Sequence, residues 1–193
     1  MQSSGRRRLR ARRALAAAVG TAVVLAGAGW GGSVAWAGPR SAGARDHGKK
    51  GHSAAHRHHG PKLPVVKHAK DLNLEPVIRA SKGKPPKKLE VRNLVKGTGA
   101  TVTRSSTVDV IYVGANYRTG KDFTQATWTS KRPTAFPLSG VVHGFAEGLI
   151  GMRVGGRREI VIPPSLGYGD HNYGPIKAGE TLVFVVDLKG VSG

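Results

Sequence analysis

GFAEGLIGMRVGGRREIVIPP, running from Gly144 to Pro164, is the stretch that decides how this chain folds. Its first eight residues, Gly144–Gly151, are short and bracketed by glycines, and they predict the one ordered helix of the chain. Gly155-Gly156 then turns the backbone into a strand, in which Arg158 is expected to point outward between apolar neighbours. Pro163-Pro164 ends that strand, because proline cannot donate to a ladder. Downstream, TLVFVVDLKGV (Thr181–Val191) reads as a last strand, apolar on much of both faces. Upstream, TVDVIYVGANY (Thr107–Tyr117) is a long β-rich run closed by a turn at Thr119-Gly120. Lys121–Phe123 and the PTAFPL segment (Pro133–Leu138) give short extended pieces on either side of a loop carrying Trp128. A first strand falls at about Leu89–Leu94. Strands that dominate, with one helix for them to wrap, make an α+β single domain. No internal repeat is present.

Working outward to the ends, the charge is lopsided. Residues 1–70 hold 14 Lys/Arg and one acid, Asp46, whereas residues 71–193 hold 17 Lys/Arg and 10 acids. A balance of +20 would ordinarily suggest nucleic acid. Six of the arginines, however, sit in GRRRLRARR (Gly5–Arg13), directly before an apolar run from Ala14 to about Trp30. Small residues follow, and Ala35-Trp36-Ala37 fits a cleavage site. Residues 1–37 are therefore expected to be an export signal, with Gly38 as the mature N-terminus and an uncleaved membrane anchor as the alternative. The Arg6-Arg7 and Arg12-Arg13 pairs are compatible with twin-arginine export. Residues 38–70 read as a basic, disordered linker carrying six of the eight histidines: His47, His52, His56, His58, His59 and His68. Their irregular spacing and the absence of cysteine favour a solvated tail that gains charge below about pH 6.5 over a metal site. Residues 71–88 are a Pro/Lys-rich lead-in, and residues 89–193 are the folded domain. With no cysteine, disulfide scaffolds, thiolate chemistry and Cys-based zinc sites are excluded.

The lead-in DLN…P…KGKPPKKL is similar to the entry of secreted bacterial FKBP-type peptidyl-prolyl cis/trans isomerases, and three further pieces in order resemble that family. They are VDVIYVGANYRTGKDF, PLSGVVHGFAEGLIGMRVGGRREIVIPPSLGYG and GETLVFVVDL. The resemblance spans about Leu89–Val191. It implies an antiparallel five-stranded sheet wrapped around one short helix. It also implies an exported enzyme that rotates X–Pro bonds and so assists protein folding outside the cytoplasm. Such an enzyme needs no charged catalyst. The X–Pro barrier of about 18–20 kcal/mol comes from amide resonance. The planar, charge-separated ground state prefers water, and a twisted, less polar imide is favoured relative to it by an apolar pocket. The resemblance assigns that pocket to Tyr112, Phe123, Phe136, Phe145, Tyr168 and Phe184, with Val141, Val142, Thr124 and His171 contacting substrate. Phe145 takes the floor position, where many members carry Trp. The Tyr168 phenol and the Val142 N–H would each hydrogen-bond a substrate carbonyl. Taken singly, each of these aromatics reads more often as core than as site.

Three departures stand out. Thr124 occupies a position where the family often has Asp, and Asp122 falls on the opposite face if that segment is extended. Thr134 occupies a position that is often aromatic. The loops after Leu138 and after Tyr168 look about two residues and one residue short. His171, Asn172 and Tyr173 are candidate rim contacts in the second loop. The resemblance implies proline-containing protein substrates, a macrolide ligand of the rapamycin type, no cofactor or metal, no specific nucleic acid, and a monomer. Membrane contact is expected only through the N-terminal signal, which places the protein outside the cell or on the outer face of its envelope. A low-activity module that binds a proline segment at the cell surface is the competing reading.

Overall fold

The computed structural model describes residues 63–124 and 127–193. The export-signal reading and most of the histidine tail lie outside these residues. Nine elements follow in order: β1 (Val66–Lys67), β2 (Val77–Ile78), β3 (Glu90–Val95), β4 (Thr107–Asn116), α1 (Thr127–Ser130), β5 (Thr134–Pro137), α2 (His143–Leu149), β6 (Arg157–Ile162) and β7 (Leu182–Ser192). Five of them form one sheet in the order β3-β6-β7-β4-β5, with every neighbour antiparallel. The α+β expectation holds: a five-stranded antiparallel sheet packs on α2. The loop around Trp128 adds a single helical turn, α1, that the sequence did not signal.

Side chains alternate across a strand, so each strand feeds two cores. On β7, Leu182, Phe184, Val186 and Leu188 join Phe145 and Leu149 of α2. Val183 and Val185 join Ile78, Ile111, Val113 and Trp128 on the other face. Phe145 and Leu149 are four residues apart and so share one side of the helix. Gly144 and Gly148 share the adjoining stripe. A Cβ built at either would fall 2.4 Å from Ile162 Cγ2 or Ile160 Cγ2 respectively. Gly144 and Gly148, both within α2, are what let the helix lie against β6.

Two expectations are corrected. Arg158 does not point outward. Its period-2 partners Ile160 and Ile162 face the helix, and Arg158 lies on that same side, buried. There its Nη1 donates to Gly148 O (2.8 Å) and Ile150 O (3.1 Å), and its Nε donates to Asn93 Oδ1 (2.7 Å). The end of a helix leaves carbonyls without intrahelical donors, and a cation placed there satisfies them. The second correction is the end of the tail, set at Lys70. The described chain is already ordered from Leu63. β1 pairs with β2 (Val66↔Ile78, Lys67↔Val77), and Leu63 and Val66 pack on the outer core. The apolar Leu63–Val66 segment was hidden in the sequence by Lys62, Lys67, His68 and Lys70 around it.

Candidate active site

The aromatic residues predicted for the site converge on the helix side of the sheet. Tyr112 in β4 and Phe184 in β7 are brought together by strand pairing, Phe184 standing opposite Gly114 and Tyr112 opposite Val186. Phe145 enters from the first turn of α2, and its ring centroid lies 5.0 Å from Phe184 and 6.1 Å from Tyr112. Phe123 closes one side at 5.6 Å from Phe184, and Phe136 of β5 closes another at 5.9 Å from Tyr112. Tyr112 and Phe184 are 6.2 Å apart. Most of these contacts are edge-to-face, the arrangement favoured by the ring quadrupole. Phe145 and Phe184 are fully buried, whereas Phe136 is half-buried. The rings therefore grade from a sealed floor to a wet edge.

Gly114 makes the close packing possible. A Cβ there would stand 2.6 Å from the Phe123 ring and 2.8 Å from the Phe184 ring. A glycine in mid-strand normally weakens the strand, and here it marks the approach of two rings.

Val141, Val142 and Tyr168 pack in the same cluster. Val142 precedes α2, and its carbonyl accepts from Phe145 N (2.9 Å) and Ala146 N (3.1 Å). Its own N–H belongs to neither helix nor strand. Tyr168 stacks flat on Tyr173, with centroids 4.5 Å apart and planes 9° from parallel. Burial, then the neighbouring Tyr173 and Tyr112 phenols, push the Tyr168 hydroxyl well above the ordinary phenol range. Burial raises the Tyr112 hydroxyl as well. Both groups are thus held as neutral O–H donors.

Thr124 and His171 differ from the rest. The Thr124 hydroxyl donates to Asp122 Oδ1 (2.9 Å) and accepts from Gly114 N–H (2.9 Å). The Thr124 N–H also donates to Asp122 Oδ1, at 2.6 Å. Asp122 therefore does not turn away as expected for an extended segment. The chain bends after the Ala115↔Asp122 bridge, and the carboxylate folds back over its own loop, a habit of Asp in turns. His171 is exposed, and its backbone N–H donates to Tyr168 O (3.2 Å). His143 is likewise exposed, with Nε2 3.2 Å from Glu147 Oε1. Neither histidine is among the members of the aromatic cluster. One contributor was missed in the sequence. Ile176, 1% exposed, reaches the cluster from the loop after Tyr168. A lone branched aliphatic inside YGPIKAGE was the available signal.

Residues 99–189 match the family model described as FKBP-type peptidyl-prolyl cis-trans isomerase. A probable FK506-binding protein of Corynebacterium glutamicum is 39% identical over 114 residues, covering 59% of this chain and 96% of its own. The FK506-binding protein of Streptomyces anulatus is 40% identical over 121 residues, covering 61% and 97%. This chain belongs to the FKBP-type peptidyl-prolyl cis-trans isomerase family. It is a peptidyl-prolyl cis-trans isomerase. Among solved structures, a peptidyl-prolyl isomerase from Pseudomonas syringae pv. tomato is 33% identical with a TM-score of 0.50, covering 54% of this chain and 76% of its own. FkpA from Escherichia coli is 35% identical with a TM-score of 0.50, covering 65% and 55%. The family match begins at Gly99, so β1, β2 and β3 precede it.

Proposed function

We propose that the aromatic cluster is the prolyl site, and that the protein works outside the cytoplasm to speed prolyl steps in the folding of exported chains. Uncatalysed prolyl isomerisation takes tens of seconds, slow enough to limit folding. In this reading a proline ring rests on Phe145 between Tyr112, Phe123, Phe136 and Phe184, with Val141 and Val142 beside it. The Tyr168 phenol and the Val142 N–H hold the substrate carbonyls. The twisted, less polar imide gains relative to the planar one because the rings offer no water. No proton moves, so no acid–base pair is required. The observation that carries this reading is the convergence of five rings on uncharged surroundings, with neutral phenols at their edge. A macrolide of the rapamycin type would occupy the same apolar surface. The basic, apolar N-terminal segment ending at Ala37 supports export.

One observation favours a second reading, a slow proline-peptide binder. The Thr124 hydroxyl is committed to Asp122 and Gly114, so this rim position offers substrate no further hydroxyl hydrogen. Isomerisation of an Ala-Leu-Pro-Phe peptide by the full chain, with and without the macrolide, separates the two. Turnover that the macrolide blocks supports the enzyme reading. Tight peptide binding without turnover supports the binder.

A further inference from the structure

Among the described residues four large hydrophobic side chains are exposed: Val65, Leu74, Val77 and Val91. Three of them belong to the ribbon that β1 and β2 form and to its loop. The strands pair Val66 with Ile78 and Lys67 with Val77, and Arg79 N donates to Val65 O (2.9 Å). Val66 and Ile78 turn into the outer core. Alternation therefore turns Val65, Lys67, Val77 and Arg79 the other way, into solvent. Leu74 stands in the loop between the strands, and buried Arg157 holds that loop by the His68, Asp71 and Leu74 carbonyls. Val65 also lines a cleft of about 390 Å³ between the arm and β3, with Leu63, Leu94, Lys70 and Arg92 among its other walls. Exposed aliphatic residues scattered singly are ordinary, whereas three on one ribbon and its loop mark a contact surface. Cations surround them. Residues 63–88 hold seven Lys/Arg and two acids, Asp71 and Glu75. All seven cations are exposed, and none is ion-paired among the described residues. The lead-in carrying Lys82 and Lys84 is fastened to the same outer side, by Ser81 N–H to Tyr117 O (2.9 Å) and Tyr117 O–H to Lys84 O (3.2 Å).

We propose that this ribbon docks the folded domain on an anionic lipid surface. Val65, Leu74 and Val77 enter the interface, and Lys67, Lys70 and Arg79 meet headgroup phosphates. Aliphatic tips among cations suit such an interface, because the apolar groups leave water while each Lys or Arg strengthens binding about fivefold. A protein partner fits less well. Three aliphatic side chains are far fewer than the roughly 20–30 residues that a stable interface engages on each side, and lysine is depleted there. The point where the chain enters the fold agrees. Residues 1–62 hold twelve Lys/Arg, one acid and the apolar run Ala14–Trp30, and they join the domain at Leu63, two residues before Val65. The ribbon packs on the outer core, whereas the aromatic cluster lies on the helix side of the sheet. A domain docked this way keeps that cluster turned from the lipid.

Because the chain has no cysteine, a single introduced cysteine can carry an environment-sensitive fluorophore in the full chain. Val65→Cys and Val77→Cys place it on the ribbon. Ser165→Cys is the control, exposed and next in the chain to Leu166, which packs on the helix-side core. Vesicles of phosphatidylcholine with an equal part of phosphatidylglycerol should shift the emission of both ribbon labels to the blue and raise it. The label at Ser165 should not respond. Neither should any label with phosphatidylcholine alone, or in salt of about 1 M, where exposed charges reach only about 3 Å. Lys67→Glu/Arg79→Glu in the Val77→Cys background should abolish the response, with an unaltered urea midpoint showing that the ribbon is still folded. Silent ribbon labels overturn the proposal, and if the protein nonetheless floats with the vesicles, residues 1–62 are what binds. An equal response at Ser165 overturns it too. So does a ribbon response that follows protein concentration without lipid, which would mean a second copy of the chain.

Discussion

On the helix side of the sheet, Phe184 and its neighbours on β7 meet rings and aliphatic side chains, with Arg158 at the far end of the helix. On the other side Val183 and Val185 lead to Asp187, where a buried charge network takes over. Arg157 Nε donates to Asp187 Oδ1 (2.6 Å) and Nη2 to Oδ2 (2.9 Å), both side chains being almost wholly buried. The remaining guanidinium donors reach the N-terminal arm, at His68 O (2.6 Å), Asp71 O (2.9 Å) and Leu74 O (3.2 Å). The guanidinium also lies 5.3 Å from the centre of the Trp128 ring. Beside it, buried Glu159 accepts from Arg92 Nε (2.8 Å), while its Oε1 finds no donor among the described residues. Burial raises Glu159 above the usual carboxylate range, and Arg92 offsets part of that. The two faces thus separate two tasks. In the proposed reading the apolar face is the uncharged surface that meets substrate, and the charged face fixes the arm and sheet as one unit.

The largest effects should come from opening either face, with different consequences. Asp187→Ala leaves the Arg157 guanidinium buried without its carboxylate, at a cost of about 3–5 kcal/mol. Phe184→Ala opens a cavity of similar cost, about 3–5 kcal/mol. Urea unfolding should show comparable losses. Turnover per folded molecule should survive in Asp187→Ala and fall in Phe184→Ala. Equal turnover in the two variants would break the division of labour.

A smaller effect should follow from removing Leu63–Lys70 so that the chain begins at Asp71. The outer face loses two partly buried aliphatic side chains, Leu63 and Val66, and Arg157 loses the His68 carbonyl. Together these amount to about 2–4 kcal/mol. A lower urea midpoint with unchanged kcat/KM is expected. An unchanged midpoint would show that the domain starts at Asp71 after all.

How the two faces read in the sequence differed for a physical reason. The apolar face was legible because β4 and β7 read as long strands rich in apolar residues and because the helix is bracketed by glycines. The family pattern then linked Tyr112, Phe145 and Phe184 into one group. The charged face was not legible. Strand alternation turned Arg158, on the helix side, outward, and nothing in the pattern marked Arg157 or Glu159 as buried, since charges are almost never fully buried unless paired. Their partners, Asp187, Asn93 and Arg92, lie 30 to 67 residues away in sequence, and only the strand register brings them together. The arm was lost for a related reason, because its contacts are made by backbone carbonyls that no side-chain pattern reveals. The opposite-face position of Asp122 held only for an extended segment, and the chain bends there.

Tyr168→Phe should act more gently still, removing one hydroxyl while the ring keeps its stack on Tyr173. A neutral hydrogen bond contributes about 0.5–1.5 kcal/mol, so kcat/KM should fall roughly two- to twelve-fold with the urea midpoint nearly unchanged. A larger loss of stability than of rate would assign the phenol to the fold instead of to the substrate.

The most direct test of catalysis by an uncharged aromatic surface is the pH dependence of kcat/KM for an Ala-Leu-Pro-Phe peptide. Tyr168 and Tyr112 have folded-state pKa values raised above the ordinary value of about 10. Their neutral forms therefore contribute stability that is complete below about pH 10 and is lost as pH climbs through the raised values. Nothing in the site should titrate before then. The rate should be flat from pH 6 to about 9.5 and unchanged when His143 and His171 are both replaced by alanine. A bell-shaped profile, or loss of turnover on replacing either histidine, would mean proton transfer and contradict this account.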